Sequence, residues 1–289
     1  MQTPAPTDYV RATSVSHAIS LLEEHGEESR ILAGGHSLLP MMKLRIARPE
    51  MLIDINELDE LRGIRVDGDE LVLGAMVTHR EVLESPVLFE HYAIFRECEK
   101  VIADPLVRNR GTVGGSMCQA DPSEDLSAVG SALRGSVVIQ GASGTRTVPL
   151  REFHEGPYET QVEPAEIMTE VRFPIRPGAG SAYEKVERRV GDWPVCSAGV
   201  YVVVSDGLVT DCGIGLTAVS AEHFCAPAAE AFLIGKAPTE DNLRSAAQLA
   251  ADAADPSSDQ RGPADYKKHL ANELTYRALV RAAAASQGA

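Results

Sequence analysis

The sequence predicts an α+β fold built from three consecutive parts. Residues 1–56 alternate helical and strand patterns around a pair of glycines, which is typical of a small α/β unit. Residues 57–176 contain short apolar runs separated by turn residues, a pattern that predicts antiparallel hairpins. Residues 177–289 begin with three strand patterns and end in helical ones. We therefore expect domains at 1–56, 57–176 and 177–289, joined across the Pro- and Gly-rich stretch from Pro174 to Gly180.

The first part is predicted to run helix, strand, glycine turn, helix and strand. Apolar residues at helical spacing precede Gly26, which is expected to end the first helix. A buried strand then leads into Gly34 and Gly35, and Ser37 is placed to cap the next helix, whose first turn tolerates Pro40. The expected elements are helices over 15–25 and 38–44 and strands over 31–33 and 51–55.

Turn and capping residues organise the second part. Asp67-Gly68-Asp69 lies between two apolar stretches and predicts a tight hairpin. Thr78 and Glu81 have the spacing of a capping box, so a helix is expected to begin there. A continuous helix is expected over 86–101. The other expected elements are a hairpin of 64–66 with 71–73, a helix over 125–133, a hairpin of 137–140 with 147–148, and a strand over 166–173.

The third part is predicted to be a small sheet backed by helices. The dipeptide Asp206-Gly207 marks a tight turn between its last two strands. The expected elements are strands over 181–187, 198–204 and 209–219 and helices over 226–234, 239–254 and 264–285.

Composition excludes several classes of function. The 289 residues carry a formal net charge of −15, so a nucleic-acid partner is not expected, because that would need clustered Lys and Arg. The N-terminal segment has no apolar core of a signal peptide, and no apolar run approaches the roughly 20 residues of a membrane-spanning helix. We expect a soluble, cytoplasmic protein.

The reactive side chains form no recognisable catalytic or metal set. The five cysteines lie far apart in the sequence, which excludes zinc-finger and iron–sulfur spacings and does not favour disulfides. No Ser–His–Asp or Cys–His nucleophile set can be assembled from the spacing. The sequence therefore predicts no catalytic residue and no metal ligand on this chain.

Two glycine segments point to a phosphate ligand. The first glycine segment, 33–37, and the second, 111–116, each contain adjacent glycines followed by a hydroxyl residue. Adjacent glycines permit positive φ, so that successive N–H groups can point into one concavity that suits a phosphate. For either segment alone an ordinary turn is the favoured interpretation. Together, in so acidic a chain, a diphosphate site that depends on local N–H dipoles becomes an equal alternative to two ordinary turns.

Other side chains fit a dinucleotide but keep a structural alternative. Asp121 and Asp125 would accept hydrogen bonds from sugar or ribityl hydroxyls, or cap a helix. Lys185 would supply positive charge beside a flavin, or lie on a solvated strand edge. Trp193, the only tryptophan, is either a stacking partner or a core anchor. His36 is a base, a covalent flavin tether or a ring that orders its loop.

With these residues in place, the sequence resembles a known family, the FAD-binding medium subunits of molybdenum hydroxylases, over nearly the whole chain. Within that family it looks most like the carbon monoxide-oxidising branch. The resemblance is carried by 33–40 (AGGHSLLP), 107–116 (VRNRGTVGGS), 120–122 (ADP), and Tyr183, Lys185, Arg188 and Asp192. The chain departs from the family pattern at Gln119, where a histidine is common, and at Trp193, where a smaller aromatic or an aliphatic residue is common.

The resemblance implies both the fold and the cofactor. The first two parts would form the two-part FAD-binding fold of the vanillyl-alcohol oxidase (PCMH-type) group, followed by a C-terminal domain with a three-stranded antiparallel sheet and helices. FAD would be bound non-covalently, its pyrophosphate held by the two glycine segments. The residues implied in binding are Leu32, Ala33, Gly34, Gly35, His36, Ser37, Leu38, Thr112, Val113, Gly114, Gly115 and Ser116 for the pyrophosphate, Asp121 and Asp125 for hydroxyls, Lys185 beside the isoalloxazine, and Ile102, Met168 and Trp193 around the pocket.

The resemblance also implies partners. A large molybdopterin subunit would oxidise the substrate, a small subunit with two [2Fe-2S] clusters would relay electrons to this FAD, and the assembly would be a dimer of heterotrimers. The complex would be cytoplasmic or associated peripherally with the inner face of the cytoplasmic membrane. The alternatives are the medium subunit of a xanthine, aldehyde or N-heterocycle hydroxylase, a stand-alone flavin oxidase or reductase with His36 as tether, and an interaction subunit that binds no flavin.

Overall fold

The computed structural model describes residues 3–220 and 222–288, which form three principal sheets in sequence order. The first is three-stranded and parallel, the second five-stranded and antiparallel, and the third three-stranded and antiparallel. Helices cover each of them, so the predicted α+β class is confirmed. The division into three domains stays a prediction.

The first sheet has β3 at its centre, with β1 and β2 paired parallel to it. Strand β1 was not predicted, because it is a short edge strand with mostly exposed side chains and carries little apolar signal. Ser37 adopts helical dihedrals and its side chain makes no capping hydrogen bond, so its predicted capping role is wrong. The elements are β1 (Asp8–Arg11), α1 (Val15–His25), β2 (Ser29–Leu32), α2 (Leu38–Lys43) and β3 (Met51–Asp54).

The second sheet follows the predicted hairpins. The capping box at Thr78 and Glu81 is confirmed at the start of α3. The elements are β4 (Ile64–Asp67), β5 (Glu70–Gly74), α3 (His79–Glu84), α4 (Pro86–His91), α5 (Ala93–Lys100), α6 (Pro105–Arg108), α7 (Val113–Gln119), α8 (Asp125–Ala132), β6 (Ser136–Gly141), β7 (Gly144–Pro149), α9 (Leu150–Phe153), β8 (His154–Gly156), β9 (Glu159–Thr160) and β10 (Ile167–Pro174). Its strand order is β4-β5-β10-β6-β7, and β8 pairs separately with β9.

The prediction of a continuous helix over 86–101 is wrong, because the helix is interrupted at Tyr92, between α4 and α5. Tyr92 has extended dihedrals, φ −145° and ψ 114°, and its ring is fully buried. Its hydroxyl donates to the carbonyl of Pro174 at 2.7 Å and accepts from the backbone N–H of Arg176 at 3.0 Å. A buried tyrosine tied to the end of β10 thus fixes the corner, a long-range constraint that helical periodicity does not reveal.

The third sheet packs between α8 and the C-terminal helices. Gly213 and Gly215 on its last strand leave no room for a Cβ, because carbonyls of α8 lie directly above them. Only residues 175–178 lie between β10 and the first strand of the third sheet, so the linker is shorter than the predicted stretch from Pro174 to Gly180. The elements are β11 (Ala179–Glu187), β12 (Pro194–Ser205), β13 (Leu208–Thr217), α10 (Pro227–Leu233), α11 (Glu240–Asp252) and α12 (Ala264–Gln287). This close approach brings the N-terminal end of α8 against β11, where the candidate site lies.

Within 3–220 and 222–288, every helix is too short or too polar to cross a membrane.

Candidate functional site

A cleft of about 1000 Å³ runs along the two glycine segments to β11. It brings together most residues singled out in the sequence. Those lining it are Ala33, Gly34, Gly35, His36, Ser37, Leu38, Ile102, Thr112, Gly114, Gly115, Ser116, Asp125, Met168, Lys185 and Trp193. Gln119, the departure from the family pattern, lines it as well.

Three predicted residues lie outside this lining. Leu32 borders a second cavity of about 290 Å³. Val113 is buried in the hydrophobic core under the second sheet. The carboxylate of Asp121 accepts hydrogen bonds from the Tyr158 hydroxyl at 3.1 Å and from the Ser123 N–H at 2.9 Å. Tyr158 itself lines the cleft, so Asp121 bears on it through that hydroxyl.

The two glycine segments touch each other. A Cβ on Gly34 would collide with the backbone carbonyl of Arg110, so only glycine permits this approach. Asn56, just beyond β3, bridges the same junction: its Nδ2 donates to the carbonyl of Ala33 at 2.7 Å, and its Oδ1 accepts from Arg110 at 3.2 Å. The segments therefore form one surface, as the sequence led us to expect.

The first glycine segment presents free donors. Gly35 has a φ of +79°, in the region that glycine tolerates best. The backbone N–H groups of residues 34–38 find no acceptor in the part of the chain that the structure describes. A run of N–H groups that are not committed within the protein is suited to an anion in the adjoining cleft, because several donors can bind it at once.

The second glycine segment does not form the expected nest, and that prediction is wrong. Neither Gly114 nor Gly115 has positive φ, and both lie in the first turn of α7. Their N–H groups, with those of Val113 and Ser116, donate within the protein at 2.8–3.1 Å, to Ala75, Val77 and Thr112. The cause is pairing with residues 75–77, which the local sequence does not encode.

Gly114 is required for packing. A Cβ there would lie 2.7 Å from the Cβ of Ala75 and 2.8 Å from its carbonyl oxygen. Thr112 and Ser116 line the cleft on either side of Gly114, and the Thr112 hydroxyl accepts the N–H of Gly115 at 3.1 Å. The Ser116 hydroxyl donates to Glu124 at 2.8 Å.

Glu124 caps α8, so the predicted alternative of a capping Asp125 is wrong. The buried carboxylate of Glu124 accepts from the N–H groups of Leu126 at 2.9 Å and Ser127 at 2.6 Å. The available signal was an acidic residue directly before an apolar helical stretch. Asp125 is thereby left for other contacts.

Asp125 pairs with Lys185. The Lys185 Nζ lies 2.9 Å from the Asp125 carboxylate and 2.9 Å from the carbonyl of Val101. The hydroxyl of Tyr183 donates to the same carboxylate at 2.6 Å. Burial raises the pKa of Asp125 to about 6, against the opposing effect of Lys185. Because the Lys185 side chain is only 2% exposed, the alternative of a solvated strand edge is wrong.

His79 and Glu99 form a second buried pair, which no sequence signal revealed. The Nδ1 of His79 lies 3.1 Å from both carboxylate oxygens of Glu99, and neither side chain is more than 5% exposed. Burial lowers the pKa of His79, but the charge of Glu99 and the hydrogen bond to it outweigh burial, so the pKa is raised. His79 lines the cleft beside Gly111.

Two side chains at the mouth of the cleft, Trp193 and His36, are exposed to solvent. Trp193 is 44% exposed and stands at the end near Lys185, so it is not a core anchor. His36 is exposed on the first glycine segment. In the described residues, no three His, Cys, Asp or Glu side chains come close enough to hold a metal ion.

Known families match both halves of the chain. Residues 5–176 match the family model of the FAD binding domain in molybdopterin dehydrogenase, and residues 181–282 match the CO dehydrogenase flavoprotein C-terminal domain. The carbon monoxide dehydrogenase medium chain of Hydrogenophaga pseudoflava is 42% identical over 277 residues, covering 96% of each chain.

Solved structures show the same similarity. The carbon monoxide dehydrogenase from Hydrogenophaga pseudoflava that lacks the Mo-pyranopterin moiety superposes with a TM-score of 0.95 at 44% identity, over 98% of this chain and 99% of that one. Quinoline 2-oxidoreductase from Pseudomonas putida 86 superposes with a TM-score of 0.91 at 31% identity, over 99% of each chain.

Proposed function

We propose, since this chain belongs to the FAD-binding subunits of the molybdopterin dehydrogenases, that it is the electron-transferring medium subunit of a carbon monoxide dehydrogenase complex. The two-part FAD-binding fold with its C-terminal domain, implied by the sequence, is confirmed by the family matches and by the structural neighbours. The observation that carries the proposal is the run of unpaired N–H donors at 34–38, on the wall of a cleft of sufficient volume.

The chemistry of the cleft fits FAD along its length. The free amides of 34–38, with the hydroxyl of Thr112, would hold the diphosphate, and Ser116 would lie beside it with its hydroxyl donating to Glu124. Toward the other end, Lys185 supplies a buried positive charge for the isoalloxazine. There Ile102 and Met168 give apolar walls and Trp193 an exposed ring at the mouth, while Asp121 would act through Tyr158. FAD bound there would exchange electrons singly or in pairs between donor and acceptor.

The proposal includes two partner subunits. A relative 42% identical to this chain is the medium chain of a carbon monoxide dehydrogenase, an enzyme whose solved structure is described by its molybdenum cofactor, and this chain offers no cluster of metal ligands in its described residues. We place molybdopterin on a large subunit and two [2Fe-2S] clusters on a small one, in a dimer of heterotrimers. The complex would work in the cytoplasm, free or peripherally at the inner face of the membrane.

Two other functions are alternatives to this proposal. Similarity to quinoline 2-oxidoreductase keeps open a medium subunit for an N-heterocycle, purine or aldehyde hydroxylase, because the oxidised substrate would bind the large subunit. A stand-alone flavin oxidase would use His36, which is exposed on the cleft wall, as a covalent tether.

The test is reconstitution followed by assembly. The purified chain should bind one equivalent of FAD and show flavin absorbance, and acid precipitation should release all of it into the supernatant. Flavin that stays with the precipitate would favour the tethered oxidase, and no uptake would favour a subunit that binds no flavin. Co-expression with the large and small subunits of the same complex should give a complex with the three subunits in equal amounts, which reduces an artificial electron-accepting dye when carbon monoxide is supplied. Dye reduction with quinoline or an aldehyde, and not with carbon monoxide, would point to the other hydroxylases.

A further inference from the structure

The His79–Glu99 pair is fixed from three sides. His79 begins α3, and its backbone N–H donates to the carbonyl of Gly111 at 3.0 Å. Thr78 and Thr112 form a β-bridge beside it, which ties α3 to the second glycine segment. Glu99, fully buried on α5, accepts the Nδ1 hydrogen. These contacts therefore fix the orientation of the imidazole relative to the second glycine segment.

The other ring nitrogen of His79 is free and open to the cleft. In the described residues Nε2 has no hydrogen-bond partner, and it is not among the buried unsatisfied atoms, so it is accessible from the cleft that His79 lines. A Cβ on Gly111 would lie 3.4 Å from Nε2, which places that nitrogen beside the backbone of the second glycine segment. A side chain that is otherwise buried thus keeps a single polar atom unpaired, beside Gly111 in the lining of the cleft.

The second glycine segment needs another source of positive potential. Its own N–H groups at 113–116 are already used within the protein. The nearby cations have partners as well: Arg108 donates to the carbonyl of Ile102 at 2.7 Å, and Arg110 donates to the Asn56 side chain at 3.2 Å. With a chain charge of −15, little general attraction is left for a diphosphate on this side.

We propose that His79, oriented by Glu99, donates a hydrogen bond from Nε2 to the diphosphate of the bound dinucleotide. This inference rests on the proposed FAD function and deepens it. It assigns one half of the diphosphate clamp to the first glycine segment and the other half to an imidazolium, in place of a second nest of amides.

The protonation state gives the proposal a pH dependence. Because Nδ1 is committed to Glu99, Nε2 donates only when the ring is protonated. The groups that face the ring are Glu99 on α5 and Glu124 and Asp125 at the start of α8, while Arg108 on α6 acts on Glu99. FAD should therefore bind most tightly below the pKa of His79 and more weakly as the pH rises through it.

The experiment measures FAD dissociation constants between about pH 6 and pH 9 for the wild type, His79→Gln, Glu99→Gln and the control His269→Gln, which alters an exposed histidine on α12. We expect His79→Gln to weaken binding about tenfold or more at the acidic end and to abolish the pH dependence. Glu99→Gln should move the midpoint to lower pH, and His269→Gln should match the wild type. The ³¹P resonances of bound FAD should titrate in the wild type and not in His79→Gln.

Failure of the inference and failure of the proposed function give different results. Wild type that binds no FAD at any pH would overturn the proposed function. Wild type and His79→Gln that bind FAD with equal affinity and the same pH profile, or ³¹P signals that do not respond to His79, would overturn the inference alone. Thermal melting of each apoprotein checks folding. If His79→Gln does not fold, Glu99→Gln decides by itself: an unshifted midpoint rejects the assignment.

Discussion

Gly34, in the first glycine segment, packs directly against the backbone carbonyl of Arg110, which leads into the second. A Cβ at position 34 would overlap that oxygen and approach the Cα of Gly111 at 2.9 Å. The two segments that form the proposed diphosphate end of the cleft are thus closer together than any other residue would permit. Cofactor binding and the packing of two separate sheets are coupled at this point.

Gly34→Ala should lose FAD before it loses its fold. The added methyl group forces the segments apart, a strain of roughly 1–3 kcal/mol, and moves the free amides of 34–38 away from the second segment. We expect at least a tenfold higher dissociation constant for FAD, measured by flavin fluorescence quenching. In the control Gly156→Ala, the nearest atom to the new Cβ is the end of the flexible Glu159 side chain at 3.3 Å. The interpretation fails if both variants bind FAD equally well.

Asn56→Ala should weaken FAD binding although Asn56 does not line the larger cleft. Its amide joins Ala33 to Arg110, so its loss leaves a carbonyl without its donor and frees the two segments from each other. The cost to stability should be about 1–3 kcal/mol. Asn242→Ala is the matched control, because that amide also donates to a backbone carbonyl, at 2.8 Å, but in the C-terminal part. Equal FAD affinity in the two variants, at equal loss of stability, would argue against a positioning effect.

Gly114→Val should abolish FAD retention by unfolding the region around α7. The side chain would be forced into the backbone and Cβ of Ala75, and overpacking of this kind costs about 1–3 kcal/mol or more. Urea unfolding of the apoprotein should therefore already show the damage. An apoprotein of normal stability that no longer binds FAD would instead restore the idea that a Cβ fills a phosphate nest at this position.

The sequence was sufficient where the signal is local. The hairpins around Gly68 and Gly207, the capping box at Thr78 and the order of the three sheets depend on neighbouring residues, and each was predicted. The sequence was insufficient where the signal is tertiary. Whether an N–H group of the second glycine segment is free depends on its pairing with residues 75–77, and the Tyr92 corner depends on Pro174.

The residues of the candidate site also divide into those that a local sequence pattern reveals and those that only tertiary contacts define. Glycine motifs placed the correct segments on the cleft, because glycine at a close approach leaves a mark in the sequence. No sequence motif marks His79, Glu99 or Asn56. Each is a single polar residue, and the hydrogen bond that gives it a place in the site joins it to a residue 20 or more positions away in the sequence. Lys185 was identified, but its partner Asp125 was assigned to the ligand and not to the lysine.

The Asp125–Lys185 pair should give the stability of the protein an unusual pH dependence. Burial raises the pKa of Asp125 to about 6 in the folded state, above the roughly 3.9 of an unfolded chain. The native state therefore binds this proton more tightly than the unfolded state. The contribution of Asp125 to the free energy of unfolding is fully present below about pH 4 and declines as the pH rises through about 6, by up to about 3 kcal/mol.

Asp125→Asn isolates that contribution. In urea titrations from about pH 4 to pH 7, the free energy of unfolding of the wild type relative to Asp125→Asn should fall with rising pH. Asp259→Asn is a control with the opposite pH dependence. Asp259 pairs with Lys267 at 2.9 Å, and this pairing lowers the pKa of Asp259. The contribution of Asp259 to the free energy of unfolding is therefore present above the pKa of the unfolded chain and is lost as the pH falls through the lower pKa of the folded state. A wild-type advantage over Asp125→Asn that grows with pH would show that Lys185, and not burial, governs the carboxylate.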